Sequence, residues 1–296
     1  MGFDQMTPIQ RAVIPYLIEK KDVMGCAQTG SGKTVSFLSP MINNLLQEGP
    51  PNDSNLPYGV SAPIALILTP TRELCEQIYK EARKLLHKTG IIAVKVYGGV
   101  PVESQIKFIT NGCDILVATP GRLIDFMKRG RIHLNSVKFL VFDEADRMLD
   151  MGFEDQLKEI ILQSDINPKE KRINMMFSAT FTPQVREIAR TFMNDYYFVS
   201  SNLDQDNNAN ENIEQKLIYV DDREKVLKLH ELLQQIKGSV ISKKLIVIIT
   251  LFKFLVFLET KKAVDSLTYF LNQRNYNTIA IHGDKTQDRR QVTLNY

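Results

Sequence analysis

The sequence predicts an α/β fold, a parallel β-sheet covered on both faces by helices. Three observations predict it. Short, nearly continuous apolar runs alternate with longer amphipathic stretches through the first 200 residues. Such runs suit strands buried on both faces, and parallel strands need helical crossovers between them. A glycine-rich segment stands between one run and the helical pattern after it, and several other runs end in small polar clusters. Ligands of open parallel sheets gather at the carboxyl ends of the strands, so these clusters would share one edge.

The elements follow in order. Strands are expected at residues 22–26, 64–69, 93–97, 114–119, 139–143 and 173–178. Helices are expected at 34–46, 73–87, 103–111 and 183–193, where apolar positions recur at helical spacing. Residues 47–63 hold four prolines and two glycines and read as a surface loop. Residues 200–212 carry five asparagines and three acidic residues with almost no apolar side chains. Such a segment buries too little surface to order itself and reads as a linker. The pattern then resumes, with strands at 216–220, 254–258 and 278–281 and helices at 222–235 and near 263–273. The expected division is therefore a first domain at 1–201, a linker at 202–213 and a second domain at 214–296. Residues 245–258 are apolar or Thr at thirteen of fourteen positions, interrupted only by Lys253. A spanning helix needs ~20 apolar residues, so this stretch reads as a buried strand preceded by an extra apolar run.

Composition narrows the class. The 296 residues are 44% hydrophobic and 24% charged, which excludes a disordered chain, a collagen-like fibre and a polytopic membrane protein. With 37 basic and 34 acidic residues the net charge is +3. Any nucleic-acid surface must then be a local patch. Three cysteines at 26, 75 and 113, without a Cys-x-x-Cys, argue against a disulfide framework or a zinc site. Reduced thiols and an N-terminus without a signal-peptide pattern point to the cytoplasm or nucleus.

The most specific segment is Ala27-Gln28-Thr29-Gly30-Ser31-Gly32-Lys33-Thr34, between a strand and a helix. That is the setting of a phosphate-binding loop. Gly30 and Gly32 let backbone N–H groups converge on phosphate oxygens, and the following helix adds its positive end. Lys33 supplies a cation for the β- and γ-phosphates, and Thr34 a magnesium ligand. Asp143-Glu144-Ala145-Asp146 follows another apolar strand. Asp143 would hold magnesium through water, and Glu144 would orient and deprotonate an attacking water. Further polar clusters stand at Thr69-Pro70-Thr71-Arg72-Glu73, Thr119-Pro120-Gly121-Arg122 and Ser178-Ala179-Thr180. Singly, each would pass for a turn or a helix cap.

Together these motifs resemble the DEAD-box RNA helicase family, whose name residues 143–146 spell. The resemblance runs from Gly2 to about Arg290. Met151-Gly152-Phe153, Phe257-Leu258-Glu259-Thr260-Lys261 and His282-Gly283-Asp284 look most like the Vasa-like branch. It implies a RecA-like phosphate-loop domain followed by a second RecA-like domain, with ATP and Mg2+ as cofactors. It also implies RNA as the partner, held by its backbone and not by sequence, no membrane association, and a monomer. Gln10, after Thr7 and Pro8, matches the family's adenine-reading glutamine, with Met6 where the family has Pro. Pro70, Thr71, Arg72, Gly98, Gly99, Thr119, Pro120, Gly121 and Arg122 match segments that hold the RNA backbone. Asp146, Ser178 and Thr180 match positions that couple nucleotide state to strand separation. In the second half, residues 255–260 and 282–284, with Gln287 and Arg290, match early motifs of the second domain.

The family's later motifs, with the arginines that clamp the γ-phosphate, are not found, and residues 239–252 stand as an apolar insertion. The expectation is thus an ATP-dependent RNA helicase whose second domain is incomplete. The alternative is a nucleotide- and RNA-binding fragment without efficient ATPase or unwinding.

Overall fold

The computed structural model describes residues 5–49, 56–200, 214, 216–241 and 254–285. The chain divides into two units, Met1–Asp206 and Asn207–Tyr296.

The first unit is built on a seven-stranded parallel sheet. Its strands are β1 (Asp22–Cys26), β2 (Ala65–Leu68), β3 (Ala93–Val96), β4 (Ile115–Ala118), β5 (Phe139–Phe142), β6 (Ile173–Ser178) and β7 (Tyr196–Ser200). They lie in the order β3-β4-β2-β5-β6-β1-β7. Six of the seven match the runs read from the sequence, most of them shortened by a residue or two at their ends. The seventh, β7, is an addition. Its Tyr-Tyr-Phe-Val run lies only partly buried at the sheet edge beside β1, and its last residue, Ser200, belongs to the sheet and not to the linker.

Alternate side chains of each strand enter opposite cores, as the two-residue period of a strand requires. Val23, Ala65, Ile67, Ile115, Val117, Phe139, Val141, Met175 and Phe177 join one cluster. Helices α1 (Pro8–Ile18), α2 (Lys33–Glu48) and α3 (Arg72–Leu85) cover that face, through residues such as Val13, Phe37 and Ile78. Met24, Leu66, Leu68, Leu116, Ala118, Leu140, Phe142 and Met176 join the other. There α4 (Val102–Thr110), α5 (Pro120–Lys128), α6 (Ala145–Asp150), α7 (Glu154–Leu162) and α8 (Pro183–Phe192) supply the cover, with Phe126, Met148, Ile160 and Phe192 fully buried. Each such side chain contributes about 1.5–3 kcal/mol by leaving water. A sheet packed on both faces fixes its edges, so groups carried at strand ends are held by the core.

In the second unit, α9 (Lys225–Ile241) and α10 (Lys261–Asn272) are the helices among the described residues. The helix expected at 222–235 begins three residues later. Asp221 caps a turn there, its side chain accepting from the Arg223 N–H at 3.2 Å and its carbonyl from Glu224 at 2.9 Å. The N-cap of α10 is Thr260, whose hydroxyl accepts from Ala263 N–H at 3.1 Å. The strands expected at 216–220, 254–258 and 278–281 do not form. No ladder joins them among the described residues, and Leu217, Tyr219 and Phe257 are almost fully exposed. Apolar runs become strands only when neighbours take up their backbone groups. The buried strand expected within 245–258 is corrected likewise. Its described part, 254–258, is coil, exposed at 254–257 and half-buried at Leu258, and 245–253 lie outside the described residues. So do 202–213, most of the insertion at 239–252, Gln287 and Arg290. Among the described residues no helix is long and apolar enough to cross a membrane.

Candidate functional site

The phosphate loop, the acid motif and the polar clusters read from the first 200 residues lie at carboxyl ends of this sheet, and Gln10 joins them from α1. The glycine-rich loop follows β1 and opens α2. Gly32 is its turning point, with φ 95° and ψ 16°, a left-handed conformation that an L side chain rarely adopts. It also has no room for a side chain. A Cβ there would stand 2.6 Å from Gln10 Nε2 and 2.9 Å from Thr7 Oγ1. Lys33 follows directly and is buried, donating to the Ala27 carbonyl across the loop. The Ser36 hydroxyl, donating to Lys33 O at 2.6 Å, steadies the first turn of α2, which also carries Thr34. Ala27 N–H donates to Ser178 O at 3.0 Å, so the loop is tied to the end of β6.

Gln10 reaches the loop from α1. Its Oε1 accepts from Thr7 N–H at 3.0 Å, and its Nε2 donates to Gly32 O at 3.1 Å. One N–H and one oxygen lone pair of the amide stay uncommitted in these bonds. The hydroxyls of Thr7 and Ser31 are sealed from solvent without a hydrogen-bond partner. Two orphaned hydroxyls around a glycine turn suit a polar ligand, because a buried polar group without a partner is costly.

The acid motif leaves β5. Asp143 N–H donates to Leu68 O at 3.0 Å and extends the ladder by one residue. Its carboxyl is 2% exposed, and burial pushes its pKa up to about 7 despite the nearby Lys33 cation. Glu144 then turns the chain in a left-handed conformation, φ 55° and ψ 53°, and opens α6. Such a conformation costs a non-glycine residue on the order of 1 kcal/mol. Glu144 Oε2 accepts from Arg147 Nη1 at 3.1 Å. Asp146 makes the link to β6. Its Oδ2 accepts from Thr180 N–H and Thr180 Oγ1, both at 2.9 Å, and from Ala179 N–H at 3.2 Å. Its own N–H donates to Ser178 Oγ at 3.3 Å. The three residues singled out for coupling are thus bonded to one another.

A second group assembles beyond β2, β3 and β4. Thr71 caps α3, its hydroxyl accepting from Leu74 N–H at 3.3 Å, and Thr69 Oγ1 donates to Thr71 O at 3.3 Å around Pro70. Arg72 opens the helix and lies over the Gly98-Gly99 turn. A Cβ on Gly99 (φ 81°) would come within 2.0 Å of Arg72 Nη1. Thr119 and Pro120 begin α5, followed by Gly121 and Arg122. Arg122 Nη2 donates to Val100 O at 3.1 Å, so this helix start is fastened to the same turn. All nine residues of this set therefore lie at one edge of the sheet, with Pro70, Thr119 and Pro120 buried beneath the rest. Sequence reasoning missed Arg147, whose i+3 spacing from Glu144 was the available signal. It also missed the residues beneath the Gly98-Gly99 turn.

The model of the DEAD/DEAH box helicase family matches residues 7–188. The chain is 42% identical over 297 residues to the probable ATP-dependent RNA helicase ddx3 of Dictyostelium discoideum, covering 99% of this chain and 40% of that protein. It thus spans about two fifths of that curated relative. A DEAD box protein from the hyperthermophile Methanococcus jannaschii superposes with a TM-score of 0.58 at 33% identity, over 99% of this chain and 71% of that one. The RNA-helicase Prp28 from Chaetomium thermophilum, solved bound to ADP, gives the same TM-score and identity over 99% and 64%. The family model covers more than half of the chain, and the chain belongs to the DEAD/DEAH box helicase family.

Proposed function

We propose that this chain carries the ATP site and part of the RNA site of an ATP-dependent RNA helicase that binds RNA through its backbone and parts short duplexes. The observation that carries this reading is the Asp146–Ser178–Thr180 linkage. It bonds the acid motif beside the phosphate loop to the loop after β6, so occupancy of one can bias the other. In this reading residues 1–201 form the ATP-binding domain, 202–213 a linker, and 214–296 part of a second RecA-like domain. Gln10 reads adenine with its remaining N–H and lone pair. Residues 27–34 cradle the triphosphate, Lys33 neutralises its β- and γ-phosphates, and the Thr7 and Ser31 hydroxyls find partners. Thr34 and Asp143 suit Mg2+, since a cation would relieve the cost of ionising a buried carboxyl. When bound, the ion offsets the charge on the phosphates. Glu144 takes the proton of the attacking water.

The test is RNA affinity of the 296-residue chain with and without ATP, together with RNA-stimulated ATP hydrolysis. A gain in affinity on adding ATP supports the reading. No gain and no stimulation would defeat it.

Two predictions arise here. Gly32→Ala is expected to weaken nucleotide affinity at least about tenfold, since the methyl displaces Gln10 and strains the turn. Isothermal titration with ATP would measure it. The second concerns pH. Burial pushes the Asp143 carboxyl up to about 7 in the folded chain, well above the ordinary carboxylate range. Between about pH 4 and 7 the unfolded chain binds fewer protons than the folded one, so stability falls as pH rises through that window. Asp143→Asn should flatten this slope. Magnesium nucleotide, which needs the ionised form, should bind up to about tenfold more weakly per pH unit below 7 and be insensitive above it. Titrations in buffers of different ionisation enthalpy would detect the released proton.

A further inference from the structure

Between Arg72 and the Gly98-Gly99 turn lies a buried polar network that no motif of the sequence includes. Glu76 stands one turn along α3 from Arg72. Its Oε1 accepts from the Tyr97 hydroxyl and from Lys95 Nζ, both on the β3 side. Tyr97 is the last residue before the turn. Its N–H donates to Gln105 Oε1 at 2.8 Å, and its carbonyl accepts from Gln105 Nε2 at 3.1 Å. Lys95 Nζ sits 4.8 Å from the Tyr79 ring centroid, so its cation is enclosed by α3 as well. Glu76, Tyr97 and Gln105 are all buried.

A carboxylate is an expensive way to join a helix to a strand. Apolar residues would pack there without the cost of desolvating a charge. What directional bonds add is a fixed distance. Tyr97 is held at its backbone by Gln105 and at its hydroxyl by Glu76, so the residue that launches the glycine turn cannot shift relative to α3. Burial and the adjoining carboxylate both push the Tyr97 phenol pKa upward, so it stays a donor to Glu76.

We propose that Glu76 and Tyr97 are positioning residues for RNA, their bond holding the Gly98-Gly99 backbone against Arg72 so that both meet the sugar-phosphate chain in one geometry. This rests on the RNA reading above. The test uses the full chain with an ATP analogue and single-stranded RNA, followed by fluorescence anisotropy over a range of salt. Tyr97→Phe deletes one oxygen and keeps the ring. It should weaken RNA binding roughly fivefold and lower the slope of log affinity against log salt by about 0.7, one phosphate contact on a single strand. Arg72→Gln should show the same loss of slope. Adding Tyr97→Phe to Arg72→Gln should cost nothing further, because both act through one contact. Glu76→Gln, whose carbonyl still accepts from the phenol, should stay closer to the parent than Glu76→Leu. Affinity for the ATP analogue should not move in any of them.

An unchanged Kd in Tyr97→Phe would overturn the inference while leaving the RNA reading intact. So would additive losses in the double variant with an unchanged salt slope, the mark of a structural role alone. If Arg72→Gln itself leaves RNA affinity unchanged, the RNA reading of this edge fails and the inference falls with it.

Discussion

Glu144→Gln is expected to cut RNA-stimulated ATP hydrolysis by about 10²–10⁴-fold, the range of a general base. ATP affinity should stay within about twofold. The carboxylate sits on the residue that turns the chain out of β5, beside the buried Asp143 and within reach of Arg147. An amide of the same shape keeps the turn and the loop contacts but cannot accept a proton. Single-turnover hydrolysis against the unsubstituted chain separates the chemical step from binding. A loss of less than about tenfold would mean that the proton goes elsewhere. The Arg147 contact sharpens the test. That ion pair is largely solvent-exposed on the arginine side and worth well under about 1 kcal/mol. Arg147→Ala should therefore leave stability nearly unchanged, whatever it does to the orientation of Glu144.

The left-handed backbone at Glu144 was not legible in the sequence. Asp-Glu-Ala-Asp after an apolar strand says that acids stand at a strand end, and so much holds. It does not say that the second acid bends the chain, and that the fourth couples to the loop 33 and 34 positions later was implied by the family resemblance and not by the local pattern. Local pattern reports which side chains a strand end carries. Long-range bonds depend on strand order, which pattern alone does not give. The central strands were legible for the converse reason. Residues 65–68, 115–118 and 139–142 are apolar on both faces because both faces are covered, and few other structures tolerate such runs. β7 was missed because an edge strand is half exposed and its aromatic run abuts a polar segment. In the second half apolar content does not amount to burial. Leu255 and Phe257 are as apolar as Leu66 and Phe139, yet no described strand lies beside them.

Asp22→Ala should be the most destabilising polar substitution in the first unit, by about 3–5 kcal/mol, the range for breaking a buried charged network. Asp22 begins β1 at the end of the sheet away from the nucleotide loop. Its Oδ1 accepts from Asn174 N–H at 2.8 Å. Its Oδ2 accepts from Asn174 Nδ2 at 2.8 Å, Asn194 N–H at 2.8 Å and Asn194 Nδ2 at 3.2 Å. Asn174 Oδ1 in turn takes the buried Arg172 Nε at 2.7 Å, and Arg172 Nη2 reaches Phe192 O at 3.3 Å. Burial lowers the Arg172 pKa to about 10, and the Asp22 charge opposes that drop. One carboxylate thus fastens β1 to β6 and to the entry of β7, which sets the pairing of Val23 with Met175 and Tyr197. Alanine would leave the backbone N–H groups of Asn174 and Asn194 without their acceptor, strip one acceptor from each side-chain amide, and remove the charge that faces Arg172. Asp22→Asn should fare little better, since its NH2 would face donors. A fall in Tm of about 10 °C is expected for a unit of this size, read by circular dichroism. ATP affinity per folded molecule should hold, because the loop after β1 is tied at its other end to Ser178. A shift of less than about 2 °C would show that these bonds are replaceable by water. The stability of the sheet would then rest on its apolar faces alone.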